Sequence, residues 1–116
     1  MGYWVYNPHT GGKKIPEAVQ IRIRERILRY AGKNYKGKYD RIDVRFRGAL
    51  CYIDAYVESQ AQPTHLCRIR YNCDENRWSL AFYTYSHEKY EPSLFMSGED
   101  HGTPEEAFDI GSLYLQ

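Results

Sequence analysis

Apolar and polar positions alternate on both sides of a polar turn in the stretch "THLCRIRYNCDENRWSLAFYTYSHEKY", Thr64 to Tyr90. Successive side chains of a strand point to opposite faces. Cys67, Ile69, Tyr71, Trp78, Leu80 and Phe82 therefore fall on one face of a strand pair. Arg68, Arg70, Tyr83 and Tyr85 fall on the other. The two apolar sets differ in parity, so they meet only across an even loop, about two or four residues around Asp74–Asn76.

The same alternation runs upstream. Ile42, Val44 and Phe46 share one parity, with Asp43, Arg45 and Arg47 on the other. Gly48 and Ala49 fit a tight turn, after which Cys51, Ile53, Ala55 and Val57 point inward. Tyr52, Asp54, Tyr56 and Glu58 point outward, and Pro63 closes the strand because it cannot join a ladder.

Two segments carry the helical period instead. In residues 15–32, Ile15, Val19, Ile23, Ile27, Tyr30 and Ala31 form one apolar stripe. Pro16 suits the first helical position, Glu17 the positive helix end, and Gly32 a left-handed stop. The opposite side holds Arg22, Arg24, Arg26 and Arg29 around Glu25, the pattern of a solvated helix face. In residues 103–114, Thr103 caps, Pro104 starts the helix and Glu106 completes a capping box. Ala107, Phe108, Gly111 and Leu113 or Tyr114 would dock it.

These elements predict an α+β fold in one domain spanning residues 1–116. An antiparallel four-stranded meander over 40–86 carries an N-terminal and a C-terminal helix on its apolar face. A fifth, edge strand is expected at Ser93–Met96, and residues 1–14 ("YWVY" among them) supply an apolar arm or a further edge strand.

Composition changes this picture little. Hydrophobic residues make up 42% and charged residues 27%, a globular balance. No apolar run approaches the roughly 20 residues that cross a bilayer, so no membrane association is expected. "MGYWVYNPHTGG" has no signal-peptide pattern, and Tyr6 stands where myristoylation wants Ser or Thr. The three cysteines, Cys51, Cys67 and Cys73, are an odd number, which fits buried small hydrophobes in a cytoplasmic protein better than a disulfide framework. Cys67 and Cys73 on one strand would lie roughly 20 Å apart, too far to share a zinc with His65. No metal or cofactor is expected.

The net charge of +1 hides an asymmetry. Residues 1–50 hold twelve Lys and Arg against four Asp and Glu, and residues 51–116 hold four against eleven. Such a split marks either a nucleic-acid surface or two halves that attract each other.

The chemistry gathers on the second face of the sheet. Pairing across the Gly48–Ala49 turn sets Arg45 beside Tyr52 and Asp43 beside Asp54. Continuing the register sets Asp54 beside Arg68 and Tyr52 beside Arg70, a grid that largely neutralises itself. Arg45, Arg47, Tyr52, Asp54, Tyr56, Arg68, Arg70, Tyr83 and Tyr85 are thus the candidate binding residues. Tyr and Arg are enriched in protein interfaces, which favours contact with a partner protein or a second copy. The same residue types stack unpaired bases in single-stranded RNA or DNA, although no RNP-type motif is present. A small enzyme is the third reading. Its material is His9, His65, His87 and His101 with Glu88, Asp100 and the three cysteines, centred on a His/carboxylate site near 87–101, with no nucleophile motif or phosphate loop.

Overall fold

A computed structural model describes residues 13–58 and 60–115. Its elements are α1 (Glu17–Asn34), β1 (Arg41–Arg47), β2 (Leu50–Tyr56), β3 (Thr64–Tyr71), β4 (Trp78–Thr84), β5 (Lys89–Ser93) and α2 (Pro104–Gly111). A 3-10 turn, Ser112–Leu115, follows α2 directly. The five strands form one antiparallel sheet in the order β1-β2-β3-β4-β5, so every neighbour in sequence is a neighbour in space. The expected arm over residues 1–14 lies outside the described residues apart from Lys13 and Lys14.

Both helices pack on one side. Val19, Ile23, Ile27 and Ala31 of α1 share a core with Ile42, Val44, Cys51, Ile53, Ile69, Trp78 and Leu80 of the sheet and Ala107 and Phe108 of α2. Large side chains buried this fully, such as Trp78 and Phe108, contribute about 1.5–3 kcal/mol each on an area basis. Phe46 and Val57, expected in the core, are only partly buried and pack against its edge. Phe82 is half-buried near Tyr114.

The helix ends differ from the sequence reading in three ways. Pro16 is the N-cap rather than the first helical residue, with ψ 146°, and its carbonyl accepts from the Gln20 amide. Gly32 is helical, and α1 continues to Asn34, where Tyr35 at φ −130° ends it. Leu113 does not dock the C-terminus, and Tyr114 does so only at the edge, with its ring against Phe82 and its hydroxyl donating to the Tyr83 carbonyl. Leu113 and Tyr114 are 63% and 40% exposed, because the tightened 3-10 turn rotates Leu115 inward instead. The cap of α2 is as read. The Thr103 hydroxyl accepts from the Glu106 amide at 3.2 Å, and Glu106 Oε1 accepts from the Thr103 amide at 2.8 Å.

The β3–β4 connection is even but longer than expected, running from Asn72 to Arg77 between the paired Tyr71 and Trp78. Its extra length reaches α1, where Arg22 grips Glu75 in a bidentate pair at 2.9 and 2.8 Å. Arg26 and the Trp78 indole both donate to the Glu75 carbonyl. Cys73 sits in this turn, exposed and at φ 64°, so unlike Cys51 and Cys67 it is no core hydrophobe. Burial pushes the Cys67 thiol up to about 12, far from reactive thiolate.

The last strand also differs. β5 occupies Lys89–Ser93, earlier than the expected Ser93–Met96, with Tyr90 opposite Tyr83 and Pro92 opposite Ala81. At the far edge, the Arg24 guanidinium donates to the Val44 carbonyl of β1 at 2.9 Å.

Candidate interaction face of the sheet

The side of the sheet opposite the helices collects every binding residue named from the sequence. Arg45 and Arg47 stand on β1, and Tyr52, Asp54 and Tyr56 on β2. Arg68 and Arg70 follow on β3, then Tyr83 on β4, with Tyr85 just beyond its end. Their burial varies. Arg45, Arg47 and Tyr85 are exposed, Tyr52, Tyr56, Arg68 and Tyr83 are half-buried, and Asp54 and Arg70 are buried.

One irregularity organises the centre of this face. Ile53 pairs with Cys67, but the next residue, Asp54, pairs with His65, so Leu66 is an extra residue in β3. The bulge lets Leu66 and Cys67 both point into the core, each fully buried. It also moves His65 to the outer face, against the parity of the strand. Independently of the bulge, the ladder beside it runs two residues from the expected register, so Asp54 does not pair with Arg68 nor Tyr52 with Arg70. Tyr52 pairs with Arg68, and Leu50 with Arg70.

The displaced register places a carboxylate between two bases. Asp54, 3% exposed, receives Arg45 Nη2 at 2.9 Å on one oxygen and meets His65 Nδ1 at 2.9 Å on the other. Arg45 also approaches Asp43 at 3.6 Å. One arginine thus serves both aspartates, and the charge grid does not close as the sequence suggested. Among the described residues, Arg41, Arg47 and Arg68 have no carboxylate partner. Arg41 lies over the Tyr56 ring at 4.1 Å and Arg68 over the Tyr90 ring at 5.1 Å. Arg45 lies over Tyr52 at 5.1 Å. Guanidinium groups favour such ring faces, where the quadrupole is negative.

The rings form a continuous cluster. Tyr83 meets Tyr85 and Tyr90 edge to face at 4.9 and 5.2 Å, and Tyr90 meets Tyr52 at 5.5 Å. His65 packs against Tyr83 at 4.7 Å, and its amide donates to the Tyr85 hydroxyl at 3.2 Å. Tyr114, on the 3-10 turn, extends the cluster from Tyr85 at 6.3 Å. Burial, and then the charge of Asp54, push the Tyr90 phenol far above its ordinary range.

His65, Tyr90 and Arg41 were missing from the sequence-derived set. Tyr90 could have been found from "KYEPS", an alternating run with proline at an edge position. The adjacent apolar pair Leu66–Cys67, inside an alternating strand, was the signal for the bulge. The charge asymmetry of the two halves is partly internal pairing, since Arg22–Glu75, Arg26–Glu105 and Arg45–Asp54 all join one half to the other.

The residues of the enzymatic reading are not brought together. His87 follows β4 and bonds Glu91 at 3.2 Å, whereas His101 bonds Asp100 at 3.0 Å beside Gly102, which bridges to the first residue of β4. A seven-residue strand separates them, roughly 20 Å at the usual rise.

The chain matches no protein-family model, no curated protein and no solved structure in comparison. No helix among the described residues is long and apolar enough to cross a membrane.

Proposed function

We propose that the open face of the sheet is a docking surface for an acidic segment of a partner protein. The observation that carries this reading is the set of arginines, Arg41, Arg47 and Arg68, left without carboxylates beside a preorganised tyrosine cluster. Arg41 and Arg68, held over tyrosine rings, lose little further freedom on binding, and such residues dominate interface energetics. A carboxylate-bearing partner complements the unpaired charge.

Two other occupants fit less well. A two-fold homodimer brings a patch against its own copy, so this face would oppose arginine to arginine. Single-stranded nucleic acid needs open ring faces for stacking. Here guanidinium groups cover Tyr52, Tyr56 and Tyr90, and Tyr83 is enclosed by its neighbours.

The test is selection from a displayed peptide library and from a pool of single-stranded oligonucleotides, using the wild type and an Arg41→Gln, Arg47→Gln, Arg68→Gln variant. Enrichment of acidic peptides by the wild type alone supports the reading. Enrichment of oligonucleotides without acidic peptides, or identical selections by both proteins, overturns it.

A further inference from the structure

His65 occupies the outer face only because Leu66 is bulged, and there it meets a titratable or charged group from every strand around it. From β1 comes Arg45, through the carboxylate they share. Asp54 of β2 faces Nδ1 at 2.9 Å. Arg68, on its own strand, is one ring away across Tyr90. Tyr83 and Tyr85 approach from the β4 side, their ring centroids 4.7 and 6.3 Å from the imidazole. Tyr90 approaches from β5 at 6.1 Å.

This arrangement fixes the imidazole tautomer. Asp54 already accepts from Arg45 on Oδ2 and offers only lone pairs on Oδ1, so the neutral ring carries its proton on Nδ1 and donates. Nε2 is then a lone-pair acceptor, and among the described residues no hydrogen bond reaches it. Protonation adds the second hydrogen at Nε2. That turns an acceptor into a donor and adds a cation one ring away from Arg68, which lacks a carboxylate. The His65 side chain is 30% exposed, so the proton can exchange with solvent without unfolding.

We infer that His65 is the proton-responsive element of this face, which takes acidic ligands more tightly once the imidazole is protonated. The inference rests on the acidic-partner reading above and adds its regulation. Histidine is the side chain whose ordinary titration falls between about pH 5 and 8. A single added charge and donor couples to binding by linkage, and the Asp54 contact is made in both protonation states. Protonation therefore changes what the face offers rather than whether the strand pairs.

The experiment measures binding of a short oligo-aspartate peptide at about pH 8 and about pH 6 at constant ionic strength. Aspartate titrates near pH 4, so the probe stays charged throughout. The wild type should tighten by at least about fivefold on acidification. His65→Asn keeps a donor for Asp54 but cannot titrate, so it should bind equally at both values. A thermal melt of this variant confirms that it is folded, and an Nε2 proton shift followed by NMR across the same range reports the titration directly. Equal wild-type binding at both pH values overturns the switch and leaves the docking reading standing. An undiminished pH dependence in a folded His65→Asn assigns the effect elsewhere and also overturns it. No binding of the peptide by the wild type at either pH overturns both.

Discussion

Gly111 of α2 lies against the backbone of Leu66 in β3, so closely that a Cβ at Gly111 would stand 2.8 Å from the Leu66 carbonyl oxygen. The bulge that turns His65 outward thus presents the point on which the C-terminal helix is seated. Neither partner can yield cheaply, since one is main chain flanked by the paired residues His65 and Cys67 and the other a helix held by its cap. Gly111→Ala should cost about 1–3 kcal/mol through overpacking. Gly32 is a useful contrast, being helical with nothing within 4 Å of an added Cβ. Gly32→Ala should stabilise the protein by about 0.5–1 kcal/mol. Denaturant titration of the two variants checks the pair, and an unchanged midpoint for Gly111→Ala would show that α2 can slide.

The capping box of α2 gives a second measurement. Thr103→Ala removes the oxygen that accepts from the Glu106 amide and should cost about 1 kcal/mol. Glu106→Ala leaves that bond but frees the Thr103 amide, so a smaller loss is expected. Equal stability of Thr103→Ala and wild type in thermal unfolding would contradict the cap.

Much of this fold was legible because period and parity are local properties. The stripe Val19–Ile23–Ile27–Ala31, the two-faced pattern of β1 and β2 and the Thr103 cap all depend on near neighbours and appear as read, save that Phe46 and Val57 reach only the edge of the core and Asp54 is buried on the outer face. The failures are places where tertiary contacts overrule local signals. Gly32 reads as a stop, yet it is helical, because Ala31 is fully buried and Tyr35 reaches across to Asp109. Parity put His65 on the inner face until an extra residue reversed it. Arg68 was assigned to neutralise Asp54, but a register two residues from the expected one sets it opposite Tyr52 and over the Tyr90 ring. The candidate face was therefore visible as a set of residue types, whereas its charge balance depended on the register and a bulge.

Acid should weaken the join between α1 and α2. Burial raises the Glu105 carboxyl, but hydrogen bonds from Arg26 and the backbone outweigh it and hold the group below its ordinary value. A depressed carboxylate stabilises the folded state above its ordinary titration range, and that contribution is lost as pH falls through the lowered value. Glu105→Gln should therefore cost about 1 kcal/mol at neutral pH. The difference from wild type should close in strong acid, as followed by stability measured against pH. A difference that persists there would mean that shape, not charge, matters at this position.

Alkali should act on the other side of the same join. Burial, followed by the hydrogen bond to Asp109 and its charge, raises the Tyr30 phenol from 10.0 to about 12. Tyr35 is raised as well, by burial and by Asp109, to which its hydroxyl donates at 2.6 Å. The folded state holds these protons more tightly, so the stabilisation is complete below the ordinary tyrosine value and lost as pH rises through the elevated one. Asp109→Asn should bring the Tyr30 titration down toward 10.0. Tyrosinate absorbance followed against pH reads this shift, and an unmoved titration would leave burial as the whole cause.

The two outer strands of the sheet limit how this protein can meet others. β5 carries Pro92 after the charged Lys89 and Glu91, and on β1 the Val44 carbonyl is taken by Arg24. An incoming strand needs a row of free main-chain donors and acceptors, and neither border offers an unbroken one. Growth of the sheet from chain to chain, the route to fibrous aggregates, is thereby obstructed at both ends. Sheet-to-sheet fibres should therefore not form at high concentration, and light scattering against concentration checks this.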